Sequence, residues 1–167
     1  MTVVDSKAMR ETLRYWASGV SVVTTQFDDQ RGGVTVSAFN SLSVDPPQIL
    51  VCLNKTVSSM PLIQQSGIFA VNILAAHQLH LSDLFGGRVE LAEGADRFDG
   101  LTLKTDVTGA PIFTDCLAYL DCRVKQMIDG DTHWLVIGEV LATAAHNMIP
   151  FPLVYYNRKY RALDSCE

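Results

Sequence analysis

Lys55, Thr56, Ser58 and Ser59 place one cation and several hydroxyl donors directly after the apolar run 48–53, QILVCL. A helix is predicted to start near Pro61, where free backbone N–H groups attract anions, so the spacing suits a phosphate. The same residues also suit an ordinary capping loop carrying a solvated lysine. Residues 34–43, VTVSAFNSLS, mix small and hydroxyl side chains ahead of Asp45, Pro46 and Pro47. Such a segment lets a planar ligand approach the backbone closely, although a polar edge strand and turn has the same composition. His133 follows Asp129, Gly130 and Asp131 at the mouth of a predicted strand. There an imidazole can meet a ligand and exchange a proton, or simply face solvent. Residues 152–160, PLVYYNRKY, join aromatic rings to cations, making Tyr156 and Arg158 candidates to border a stacked ligand. A final strand with Tyr155 and Tyr156 on opposite faces is compatible with that role.

Other chemistries lack their signatures. No G-x-G-x-x-G follows a strand and no G-x-x-x-x-G-K-[ST] occurs, so a nucleotide would have to be held mainly by side chains. His77 and His80 share a helix face but have no third ligand at suitable spacing, and no metal is expected. Cys52, Cys116, Cys122 and Cys166 form no C-x-x-C pair and read as thiols. A formal charge of -5 opposes nonspecific attraction to nucleic acid. The N-terminal residues lack a basic region followed by an apolar run, and no stretch of eighteen apolar residues occurs, so neither export nor a membrane span is expected. Asn54, Lys55 and Thr56 match a glycosylation pattern that such a location makes irrelevant. A cytoplasmic chain is the expectation.

The elements that must position these groups are mostly strands. Asp5 can cap a first helix, with Met9, Leu13, Trp16, Ala17 and Val20 recurring on one face. Residues 20–27 and 34–37 read as a hairpin around the polar segment 28–33. Asp45, Pro46 and Pro47 separate that region from a buried strand at 48–53. A short helix capped by Ser58 or Ser59 ends at Gly67, before a strand at 68–74 and a helical segment at 75–85 closed by Gly86 and Gly87. Residues 116–128 and 134–142 form long antiparallel strands about the turn at 129–131. The chain, 48% apolar and 19% charged over 167 residues, is expected to form one domain, 1–167. Its fold class is mainly β with peripheral helices, an antiparallel barrel rather than a doubly wound sheet.

Taken in order, residues 9–25 (MRETLRYWASGVSVVTT), 33–47 (GVTVSAFNSLSVDPP), the 54–59 loop, 69–74 (FAVNIL), 130–133 (GDTH) with 137–140 (IGEV), and 152–160 resemble the flavin reductase family. These are Greek-key split barrels of the FMN-binding type, the reductase components of two-component flavin-dependent monooxygenases. The resemblance implies a homodimer that transfers a hydride from NADH or NADPH to FMN or FAD. Diffusing reduced flavin would then supply a partner monooxygenase. By position, Thr35, Val36, Ser37 and Ala38 border the isoalloxazine, with Ser41 and Ser43 nearby, and Asn54, Lys55, Ser58 and Ser59 hold the ribityl and phosphate end. His133 matches a histidine that meets the nicotinamide, although Thr132 separates it from Asp131 where many members read Gly-Asp-His. Phe85 and Arg88 match a loop near the flavin, with Gly86 and Gly87 departing from the commoner small-residue version. The alternative is a flavin-binding split barrel or FMN-dependent oxidase with little activity on free flavin.

Overall fold

The computed structural model describes residues 3–146, 151–161 and 163. Its elements are α1 (Ser6–Leu13), β1 (Ser18–Gly19), β2 (Ser21–Phe27), β3 (Gln30–Val36), β4 (Phe39–Ser43), β5 (Gln48–Asn54), α2 (Met60–Ser66), β6 (Ile68–Ile73), a 3-10 turn (Ala76–Gln78), α3 (Leu79–Phe85), β7 (Leu103–Lys104), β8 (Ile112–Phe113), β9 (Ala118–Gly130), β10 (His133–Ala145), β11 (Val154–Tyr156) and β12 (Lys159–Arg161). Seven strands form one antiparallel sheet in the order β3-β2-β6-β9-β10-β5-β4. The strands at its two edges, β3 and β4, are consecutive and separated by Ser37 and Ala38 alone. That connection carries the chain from one edge to the other and curls the sheet into a barrel, as the fold class predicts.

Two apolar cores lie on the two faces of this sheet. Val23, Val51, Leu53, Phe69, Val71 and Val136 fill the inside, closed at one end by Met60 and Ile63 of α2. Outside, α3 and the 98–116 segment cover β2 and β6 through Leu81, Phe85, Phe98, Ile112 and Phe113. Strands reaching both cores bury side chains on both faces, which explains the continuous burial from Ser21 to Thr25. The buried Asn72 and Asp121 side chains are paired within these layers. Asn72 Nδ2 donates to Val22 O at 3.2 Å and its Oδ1 accepts from Phe113 N at 2.9 Å, while Asp121 accepts from Thr108 N at 2.7 Å.

The hairpin turn is tighter than expected. Residues 28–33 were predicted to be the turn, but β2 ends at Phe27 and β3 begins at Gln30, leaving Asp28 and Asp29 between them, with Asp28 at φ 50. Gly32 and Gly33 lie within β3 because helices press on both of its faces. A Cβ on Gly32 would stand 2.9 Å from the Ser59 Cβ, and one on Gly33 would stand 2.6 Å from the Phe85 ring.

The other elements fall close to their predicted positions with adjustments. Asp5 caps α1 by accepting from Ala8 N at 2.7 Å, but the helix stops at Leu13, short of Trp16 and Val20. Ser59 sits at the N-cap of α2 without a side-chain capping bond, and Gly67 takes the left-handed C-cap at φ 67. The long hairpin turns at Asp131 and Thr132, because Gly130 is still paired in β9 opposite His133. The last strand is instead a hairpin of β11 and β12, turning through Asn157 and Arg158, both at positive φ. Cys116 and Cys122 are buried thiols, pushed by burial to about 11 and about 12; Cys52 is half-buried and Cys166 lies outside the described residues.

Replacing Gly33 with Val is expected to lower stability by about 1–3 kcal/mol, because the Phe85 ring has no room to retreat from an added side chain. Urea denaturation should show a lower midpoint with an unchanged slope.

Candidate functional site

Ser37 and Ala38, the residues joining β3 to β4, are exposed, and a groove opens beside them. Its walls are the small residues Ala17, Ser18, Gly19, Ser37 and Ala38, flanked by the rings of Trp16, Phe39 and Tyr155. Local structure explains the opening. Phe39 pairs with Val51 and Cys52 N donates to Ala38 O at 3.0 Å, so β4 leans onto β5, while Ser21 pairs with Val36 and holds β3 against β2. The chain is pulled to different strands on either side of residues 37–38, which leaves the gap.

A second cavity shares Ser37 and Tyr155 with the groove and continues it past Thr35 and Val36 to Ser82, Arg88 and Tyr160. Thr35 Oγ1 donates to Ser82 O at 2.8 Å and ties α3 to β3 at this point. The β11–β12 turn brings Tyr160 opposite Tyr155, with ring centroids 5.5 Å apart. Burial raises the Tyr160 phenol above its ordinary pKa, so it remains a neutral hydrogen-bonding group at neutral pH. Burial opposes the charge on Arg88, but Tyr160 and Asp83 outweigh it and raise the guanidinium's pKa.

A further polar cluster stands where β5 meets β10. His133 is exposed, pairs with Asn54 in register, and has Nδ1 2.8 Å from Thr132 Oγ1. Lys55 Nζ lies 2.6 Å from Asp129 Oδ1 and 4.8 Å from the centre of the Trp134 ring, and its backbone N–H donates to Thr132 O at 3.1 Å. The hydrogen bond from Lys55 holds the Asp129 carboxyl below its usual range. Thr132, in the turn between β9 and β10, therefore links Lys55 to His133 by hydrogen bonds.

The structure brings some predicted residues together and separates others. Thr35, Val36, Ser37 and Arg88 line one cavity, with Ala38 in the adjoining groove. Asn54, Lys55 and His133 gather at the end of β5, two residues beyond the Cys52 contact with Ala38. Ser41 and Ser43 pair with Ile49 and Gln48, in the opposite direction along β5 from Asn54. Ser58 lines a separate groove with Arg31 and Pro61, and Ser59 is 1% exposed against Gly32 with its Oγ unpartnered. Phe85 is 4% exposed and packs on Phe98 and Phe113 in the outer core, so it supports the cavity from behind. Tyr156 lines neither cavity, and Arg158 is ion-paired with Glu11 of α1. Tyr155 and Tyr160 fall in the 152–160 segment that the sequence points to without being among its site residues, and Ser82 and Asp83 are not predicted. The readable signal for the tyrosines was Asn157, a residue tolerant of positive φ, which marks the turn bringing them face to face.

An antiparallel barrel with an exposed break between its edge strands, flanked by small residues and by clustered hydroxyl and cationic groups, defines the split-barrel class. A model of the flavin reductase like domain matches residues 13–164, and the chain belongs to that family. The FMN reductase (NADH) RutF of Escherichia coli strain 55989 / EAEC is 34% identical over 163 residues, covering 98% of this chain and 97% of that protein. Nitrilotriacetate monooxygenase component B from Mycobacterium thermoresistibile superposes with a TM-score of 0.88 at 33% identity, covering 96% of this chain and 87% of its own. BorF, the flavin reductase component of a bacterial two-component tryptophan halogenase, superposes at 0.86 with 31% identity over 97% of this chain and 100% of its own.

Proposed function

We propose that the chain is an NADH-dependent flavin reductase whose ring-binding site is the groove beside Ser37 and Ala38. The observation that carries this reading is the groove itself: small residues allow close approach to the backbone, and aromatic rings at its edges suit a planar heterocycle. A flavin fits these residues, because the groove runs directly into a cavity whose donors, Ser82, Tyr160 and Arg88, suit an anionic tail. Family membership and the resemblance to an FMN reductase (NADH) support FMN and NADH as the pair used, with FAD a further acceptor. The similarity to BorF supports delivery of reduced flavin to a partner oxygenating enzyme.

Flavin, when bound, accepts a hydride from reduced nicotinamide and supplies the electronic chemistry. The chain contributes position. Thr35, Val36, Ser37 and Ala38 border the ring, and exposed backbone N–H groups at the break are available to meet charge arriving on it. Asn54 and Lys55 border the site at the end of β5, while His133, fixed beside Thr132, orients the nicotinamide. Ser41, Ser43, Ser58, Ser59, Phe85, Tyr156 and Arg158 lie away from the two cavities and serve as supporting structure in this reading.

A second copy of the chain completes the assembly. Helix α1 buries none of its residues, and Met9, Leu13 and Trp16 are 57%, 53% and 73% exposed, with Leu13 and Trp16 on the groove wall. An apolar strip of this kind, continuous with the groove, suits a homodimer. One domain spanning 1–167 and a cytoplasmic location complete the proposal; among the described residues no helix is long and apolar enough to cross a membrane.

Steady-state oxidation of NADH and NADPH with FMN, FAD and riboflavin tests the assignment. Activity is expected with NADH and FMN, and His133→Ala is expected to raise the nicotinamide KM about tenfold, the ~1.4 kcal/mol of one hydrogen bond. No turnover with any pair would overturn the assignment. Sedimentation should show a dimer for the wild type and a monomer for Trp16→Asp; a wild-type monomer at micromolar concentration would refute the assembly.

A further inference from the structure

Where the second cavity ends, three side chains converge on one phenol. Tyr160 Oη donates to Asp83 Oδ1 at 3.0 Å, lies 2.8 Å from Ser82 Oγ, and accepts from Arg88 Nη1 at 3.0 Å. The same Nη1 donates to Asp83 Oδ1 at 2.9 Å. One proton donated and two accepted use the full capacity of a hydroxyl, so the phenol is held from three sides. The guanidinium also lies 5.4 Å from the centre of the Tyr160 ring, which fixes its plane. Both bonds use Nη1 and neither engages Nη2 or Nε, a pair of donors that can meet two oxygens of one anion. Arg88 is 54% exposed and Asp83 28% exposed, and Arg88 lines the cavity together with Thr35, Ser37 and Ser82.

We propose that Asp83 is a built-in competitor for the phosphate of the flavin: Arg88, positioned by Tyr160, takes the phosphate group, and the Asp83 carboxylate on the same guanidinium opposes it by its charge. The inference rests on the flavin reading above and assigns which cation meets the anionic tail. Arg88 shares a cavity with Thr35 and Ser37, whereas Lys55 lines none of the cavities described and is paired with Asp129. Without ligand the Arg88–Asp83 pair is neutral, so an incoming phosphate meets a guanidinium whose charge is already offset by a carboxylate bonded to its Nη1, and the two anions repel. A carrier that must release its flavin is served by this arrangement, since the internal counter-ion weakens phosphate binding without altering the contacts to the ring. The pair is partly exposed, so the effect is modest in size.

Fluorescence titration of the full chain with FMN and with riboflavin, which lacks the phosphate, reads this directly. Asp83→Asn keeps an acceptor for Tyr160 and removes the charge; it is expected to raise the affinity ratio of FMN to riboflavin about fivefold, the upper reach of a partly exposed ion pair. Inorganic phosphate should compete with FMN more effectively in that variant. Tyr160→Phe keeps the ring, removes the anchor for Arg88, and should lower the ratio about threefold. Circular dichroism checks the fold, and Asp83→Ser provides the same loss of charge if the asparagine variant misfolds. An unchanged or lowered ratio on removing the Asp83 charge overturns the competitor role. Equal weakening of both ligands by Tyr160→Phe shows a structural tyrosine and overturns the positioning role. Failure of wild type to bind either flavin overturns the underlying flavin reading together with this inference.

Discussion

Barrel closure through two residues is the constraint on which the rest of the structure depends. The edge strands β3 and β4 are consecutive in the chain, and Ser37 and Ala38 must carry it between strands that pair with different partners. Both residues at this crossing are small and exposed, and neither belongs to a strand. The small, exposed residues at this closure are also those that admit a flat ligand. Fold and site are therefore two consequences of one short segment.

Helices stabilise this crossing from both faces of β3. Gly32 and Gly33 let α2 and α3 approach from opposite sides, and the Thr35 bond to the Ser82 carbonyl fixes the middle of α3 against β3. That anchoring sets the position of the loop carrying Arg88, and the β11–β12 turn sets the position of Tyr160. Arg88, which lines the cavity, is paired with Asp83, and Lys55, at the end of β5 outside both cavities, is paired with Asp129. Pairing of this kind tempers the attraction of the cavity for an anion.

Local chemistry made much of the fold legible in the sequence. Asp5, Gly67 and the β-branched runs announced α1, the end of α2 and the main strands, because caps and alternation act within a few residues. The β11–β12 hairpin was missed because its turn uses Asn157 and Arg158, and an arginine at φ 62 is not a recognisable turn residue. In the candidate site, the small-residue run at 35–38 and Arg88, both readable from the sequence, line joined cavities. Ser59 and Phe85 show where sequence reading stops, because hydroxyl or aromatic character does not tell whether a side chain faces a cavity or a helix packed behind it. Ser82, Asp83 and Tyr160 became visible only once contacts distant in sequence were assembled.

The central claim is that the flavin ring lies against the break at Ser37 and Ala38. Ala38 is exposed, so Ala38→Trp fills the groove with little expected effect on the fold. Equilibrium dialysis of this variant against FMN should show affinity reduced by about a hundredfold, the ~2.7 kcal/mol expected when a bulky ring blocks a pocket, with thermal unfolding unchanged. Undiminished FMN binding by a folded Ala38→Trp protein would contradict the account.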